Sequence, residues 1–137
     1  MERNKCILFK ACDTEKKIDG AFELLTMETS DIPSLNELYD LLECECIDII
    51  RRKIGYLTCH IIVDDNGKIR PDQKNITGIC TNYDEKLQGN IMICSGIVRD
   101  GELFCLTDEE VEDIKRFIAY IKYPYSDVHS NLLMYCV

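Results

Sequence analysis

Two strand-like runs of eight residues meet at a single glycine. Ile47–Ile54 (IDIIRRKI) and Tyr56–Val63 (YLTCHIIV) flank Gly55. Apolar runs this short, punctuated by turn residues, fold into hairpins and not into long helices. The same pattern recurs along the chain. Asn4–Cys12 and Ala21–Met27 flank a charged, breaker-rich stretch at 13–20, although the second run also admits a helix. Asn66-Gly67 carries a hairpin-turn signature. Ile91–Val98 and Glu102–Leu106 flank Arg99-Asp100-Gly101, and Ile76–Cys80 reads as another short strand. Residues 84–90 read as a loop. Gly96, inside an apolar run, predicts a bulge or a close backbone approach.

Two segments break this rhythm with helical periodicity. Ser34 stands three residues before Glu37 as a capping box, and Leu35, Leu38, Tyr39 and Leu42 then share a face. Thr107 and Glu110 form a second capping box ahead of Val111, Ile114, Phe117, Ile118 and Ile121. The spacing predicts helices at about 35–43 and 108–123, the second stopped by Pro124. The apolar tail Leu132–Val137 is expected to add a strand, dock on the core or form a homodimer interface. The expected fold class is α+β, an antiparallel sheet of short hairpins with two main helices packed on one face. At 137 residues the chain is expected to form a single domain, 1–137.

Charge and cysteine content narrow the function. The formal net charge is −9, which argues against direct nucleic-acid binding, since that requires cations to replace counterions. No apolar run is long enough for a membrane span, and the apolar stretch near the N-terminus is too short for a signal peptide. The expected location is the cytoplasm, with reduced thiols. Nine cysteines cannot all pair within one chain, and no Cys-x-x-Cys occurs. Cys44-x-Cys46 is a close pair and His60 adjoins Cys59, but the other cysteines lie singly within apolar runs. They read as small core hydrophobes, with no metal and no cofactor expected.

Two kinds of charged cluster remain. Glu28, Asp31, Glu37, Asp40, Glu43, Glu45 and Asp48 follow one another with no intervening Lys or Arg. So do Asp100, Glu102, Asp108, Glu109, Glu110, Glu112 and Asp113. Glu37, Asp40, Glu43, Glu45, Asp108, Glu109 and Glu112 therefore form a candidate acidic interaction surface, able in principle to imitate phosphate spacing on DNA. Arg51-Arg52-Lys53 is the one dense basic cluster. With Tyr56, His60 and Arg70 on the following segments it is the candidate ligand site, cations meeting a phosphate and an aromatic stacking on a base. Cys59 and His60 point to opposite strand faces, so they make no nucleophile–base pair. No phosphate-binding loop, dinucleotide fingerprint or nucleophile elbow appears, and no catalytic residue is assigned.

The strand IDIIRRKIG, then HIIVDDNGK, then GNIMIC, a short hairpin and a helix opened by LTDEEVEDI follow one another from Ile47 to Ile114. This order resembles the uncharacterised family called domain of unknown function 3846. The resemblance implies a small accessory protein of phages and mobile elements in a bacterial host. The expected function is non-enzymatic: sequestering a nucleotide-type ligand or blocking a host defence protein. The alternatives are an acidic DNA mimic that inhibits a host nuclease or restriction enzyme, and a small cysteine-ligated metal protein. The expected partner is a host protein or a small nucleotide.

Overall fold

The computed structural model describes residues 3–10, 21–26, 34–42, 44–65, 76–80, 85–88, 90–99, 101–122 and 130–136. Gly55 turns the chain at φ +59°, a left-handed value that favours glycine. Around it β3 (Ile47–Ile54) and β4 (Leu57–Asp64) pair antiparallel, from Ile47 opposite Asp64 to Ile54 opposite Leu57. On its other side β4 pairs with β7 (Ile91–Ser95), and β7 with β1 (Lys5–Lys10). The N-terminal hairpin closes the sheet with β2 (Ala21–Thr26). The order is β2-β1-β7-β4-β3, antiparallel throughout.

This sheet is apolar on both faces. Ile7, Phe9, Ile61, Val63, Ile91 and Ile93 belong to one buried cluster, and Cys6, Leu8, Ile62, Met92 and Cys94 to another. Alternation along each strand sends the two sets to opposite sides, so both sides need a cover. Helix α1 (Leu35–Leu42) covers the second face with Leu38 and Leu42. Helix α2 (Asp108–Lys115) covers the first with Val111 and Ile114.

A second sheet completes the α2 side. It runs β10 (Ile118–Lys122), β11 (Ser130–Met134), β5 (Ile76–Cys80), β6 (Glu85–Gln88). The β11–β5 pair is parallel and its two neighbours antiparallel. Cys80, Leu87 and Met134 pack into the same cluster as Ile61 and Ile93. A small hairpin, β8 (Val98–Arg99) with β9 (Glu102–Leu103), turns at Gly101 with φ +74°.

The α+β class holds, and so do the two helices. Their placement differs from expectation in three respects. They lie on opposite faces of the first sheet, not on one. Helix α2 stops at Lys115, and residues 118–122 are a strand, with Ile118 opposite Met134. Ile118, Tyr120 and Ile121 suit a strand as well as a helix, and the apolar tail supplies a partner that periodicity within 108–123 does not reveal. Residues 85–88, expected in a loop, form β6 for the same reason: their partner, β5, decides their state. The tail does add a strand, and it reaches the first sheet where Cys136 bridges Ile54 and Gly55 N–H donates to Tyr135 O at 3.1 Å.

Gly55 is fixed by space as well as by φ, because a Cβ there would lie 2.1 Å from the Phe117 ring. Gly55→Ala is expected to destabilise the fold by about 2 kcal/mol or more, read from the urea unfolding midpoint.

Candidate functional site

The basic cluster lies on β3, the edge strand next to β4. Asp65 N–H donates to Cys46 O at 3.0 Å, which sets the phase of the ladder. In an antiparallel pair alternate residues then turn their N–H and C=O away from the partner, here Ile47, Ile49, Arg51 and Lys53. Two neighbouring side chains cover part of this edge. Asp48 Oδ1 accepts from Ile49 N–H at 2.9 Å, and Arg52 Nη1 donates to Arg51 O at 2.7 Å. Such self-capping blunts the tendency of an open edge to recruit another strand. It also commits Arg52 to the backbone. Ile50, Arg52 and Ile54 share one face of β3, and Arg51 and Lys53 share the other.

Arg51 lies directly opposite His60 in the register. His60 Nδ1 is 3.0 Å from Ser95 O. A carbonyl only accepts, so Nδ1 carries the proton and Nε2 holds the lone pair. Arg51 Nη1 donates to that Nε2 at 3.1 Å and to Gly96 O at 2.8 Å. Both hydrogens of one guanidinium nitrogen are thus engaged. Gly96 comes this close because it has no Cβ: Gly96 N–H donates to Thr58 O at 3.0 Å, and a Cβ would lie 2.4 Å from that oxygen. The close approach expected at Gly96 is therefore present. Burial pushes the His60 imidazole below its ordinary pKa, and the Arg51 charge adds to the effect, while the Ser95 carbonyl opposes it. His60 is 6 % exposed and hydrogen-bonded on both nitrogens.

Of the other members of the expected ligand site, Lys53 stays with Arg51, and Tyr56 does not join it. Lys53 is exposed on the Arg51 face. Tyr56 stands at the hairpin tip and meets Phe117, not Arg51. Arg70 lies outside the described residues. Sequence reasoning missed the Ser95 and Gly96 carbonyls, because main-chain acceptors leave no mark on residue type. The glycine at 96 was the single available hint.

The acidic positions are largely engaged at α2. Glu110 closes the capping box, its Oε1 accepting from Thr107 N–H at 3.0 Å while Thr107 Oγ1 accepts from Glu110 N–H at 3.2 Å. Arg3 Nη1 donates to the same Glu110 oxygen at 2.5 Å. Lys5 pairs with Asp108, Lys115 with Glu112 at 3.8 Å, and Arg116 with Asp113 at 3.6 Å. Glu109, Asp40 and Glu45 are exposed, Glu37 is half-buried, and Glu43 lies outside the described residues. At α1, Ser34 Oγ accepts from Glu37 N–H at 3.2 Å. Because α1 and α2 cover opposite faces, their carboxylates do not form one continuous surface.

Among the described residues six cysteines are buried: Cys6, Cys59, Cys80, Cys94, Cys105 and Cys136. Burial pushes the Cys6 and Cys59 thiols up to about 12. A hydrogen bond with Cys105, together with burial, raises Cys94. These are protonated, packed thiols, poor as nucleophiles and as metal ligands. Cys44 is half-buried and Cys46 exposed, and Cys12 lies outside the described residues. Among the described residues no group of three or more His, Cys, Asp or Glu is placed to hold a metal ion. No helix among them is long and apolar enough to cross a membrane.

The family described as Domain of unknown function (DUF3846) matches residues 16–119. That span exceeds Ile47–Ile114 and takes in β2 and α1. No curated protein and no solved structure matches the chain. Two of the segments that carry the resemblance, GNIMIC and LTDEEVEDI, have structural roles here. In the Gly89-Asn90 element, Asn90 Nδ2 donates to Leu42 O at 3.2 Å and so ties the end of α1 to the start of β7. The Thr107–Glu110 element caps α2.

Two measurements test these environments. The native state holds His60 below the unfolded value of 6.5, so it binds fewer protons than the unfolded chain as pH falls through that value. His60 is therefore expected to reduce stability progressively below about pH 6.5, and His60→Gln to flatten that part of a urea-midpoint profile. In native thiol titration Cys46 is expected to react before Cys6, Cys59, Cys94 and Cys105, which become reactive only on unfolding. Cys46→Ser should remove that fast reaction.

Proposed function

The chain belongs to the DUF3846 family, and from that premise we propose that it is a non-enzymatic binding protein of a phage or mobile element, acting in the host cytoplasm. Its ligand is phosphate-bearing and nucleotide-type, held on the face of β3 and β4 that carries Arg51. The protein would act by sequestering that ligand or by competing for it with a host protein.

The observation that carries this reading is how Arg51 is held. His60 and Gly96 engage Nη1, which leaves the Nε and Nη2 donors without a hydrogen-bond partner among the described residues. That edge of the guanidinium is the fork that grips an oxyanion with two parallel hydrogen bonds. A neutral His60, fixed by Ser95, orients the fork in advance of binding, which lowers the ordering cost. Lys53 adds a second positive charge on the same face.

Charge pairing supports the same choice. Arg3, Lys5, Lys115 and Arg116 each face a carboxylate at α2. Arg51 and Lys53 form no ion pair with a described carboxylate. Among the described residues of a chain of net charge −9, these two cations stand without a carboxylate partner. The same pairing at α2, and the separation of α1 from α2, favour the basic face over the acidic blocks as the recognition surface.

Isothermal titration with a panel of nucleoside diphosphates and cyclic dinucleotides tests the reading. Arg51→Ala is expected to weaken binding by about 1.5–3 kcal/mol, the range for a hydrogen bond to a charged group. Lys53→Ala should cost less, and its effect should shrink at high salt. Unchanged affinity in Arg51→Ala, with circular dichroism showing a folded protein, would sink this assignment.

A further inference from the structure

Tyr56 is separated from the cations with which the sequence groups it. Its side chain is 85 % exposed at the hairpin tip, yet its ring is held. It meets Phe117 edge to face, with centroids 5.4 Å apart and planes at 87°. Phe117 is itself seated over the bare Cα of Gly55. The two rings, with Ile54, Leu57, Asp113 and Arg116, line a cavity of about 180 Å³. This cavity opens on the α2 side of the sheet, whereas Arg51 and His60 face the α1 side.

We propose that this cavity is a second binding site, which takes an uncharged, planar nitrogen heterocycle of nucleobase size. Three observations select that class. The first is the walls: two aromatic rings and two aliphatic side chains suit a flat π-system, which stacks regardless of its sequence identity. The second is volume. About 180 Å³ is well below the ~300–1,000 Å³ of sites that enclose a whole drug-sized ligand, so one ring system enters and its substituents stay outside.

The third observation is the charge at the mouth. Asp113 on α2 and Arg116, the residue that caps its C-terminal end, stand one turn apart, with Oδ1 and Nη1 separated by 3.6 Å and both side chains more than half exposed. So loose and wet a pair is weak and opens at little cost. A cationic guest would meet Arg116 and an anionic guest Asp113. A neutral heterocycle offers N–H donors to the carboxylate and lone pairs or a ring face to the guanidinium, so it satisfies both.

Nucleosides, which lack phosphate, separate this site from the Arg51 face. The full chain, labelled with nitrogen-15, would be titrated with adenosine, guanosine and uridine. Saturable shifts are expected at the amides of Gly55, Tyr56, Asp113 and Phe117, with those of Arg51 and Gly96 unmoved. Tyr56→Ala, at a side chain outside the core, should weaken binding about tenfold or more, and Tyr56→Phe should stay within about twofold. Arg116→Ala should also weaken it. The proposal is overturned by no saturable shift with any nucleoside up to about 10 mM. It is equally overturned by shifts that Tyr56→Ala leaves unchanged, or by toluene binding as tightly as the nucleosides.

Discussion

Strands β4 and β7 are buried on both faces, and the rest of the structure follows from that constraint. A strand that is apolar on both sides cannot leave either side to water. Ile61 and Ile93 require one cover, and Ile62 and Met92 another. The chain supplies α1 for one side. For the other it supplies α2 and a second sheet assembled from β5, β6, β10 and β11. The cysteines fit this account. Cys94 faces α1 and Cys59 faces α2, each as a small apolar side chain in a dense layer, and burial keeps the thiols protonated.

The same constraint places the basic residues. Charged side chains are excluded from the doubly covered centre, and β3, at the margin, accepts them. There Arg52 and Asp48 serve the strand's own backbone. Arg51 instead crosses to His60 and Gly96. A cation against an imidazole is tolerable only while the imidazole is neutral; burial and the Arg51 charge favour that neutral form, and the Ser95 carbonyl fixes its proton on Nδ1. Fold stability and the placing of the Arg51 guanidinium thus meet at one histidine.

The family motifs are informative about architecture and not about chemistry. Asn90 anchors the end of α1, and Thr107 with Glu110 starts α2. Both positions satisfy backbone groups that a helix terminus leaves open. The candidate recognition groups, Arg51 on one side and Tyr56 with Phe117 on the other, lie on the β3–β4 hairpin and its flank. The β3–β4 hairpin therefore presents both of these chemically distinctive surfaces.

Much of this was legible from residues in series. Gly55 between two apolar runs, the turn at Gly101, the capped starts of both helices and the opposite facing of Cys59 and His60 all depend on neighbours in the chain. Such local signals are set by φ, by turn chemistry and by strand alternation. The α+β class follows from them. What depended on distant partners was decided only by the tertiary structure. Ile118–Lys122 became a strand because β11 pairs with it, and Glu85–Gln88 because β5 does. The helices took opposite faces because both sides of the central strands needed covering. Arg51 parted from Tyr56 because one projects from the strand face and the other stands at the turn against Phe117. Residue types determined which groups were available, and long-range pairing, which no local pattern encodes, determined which of them met.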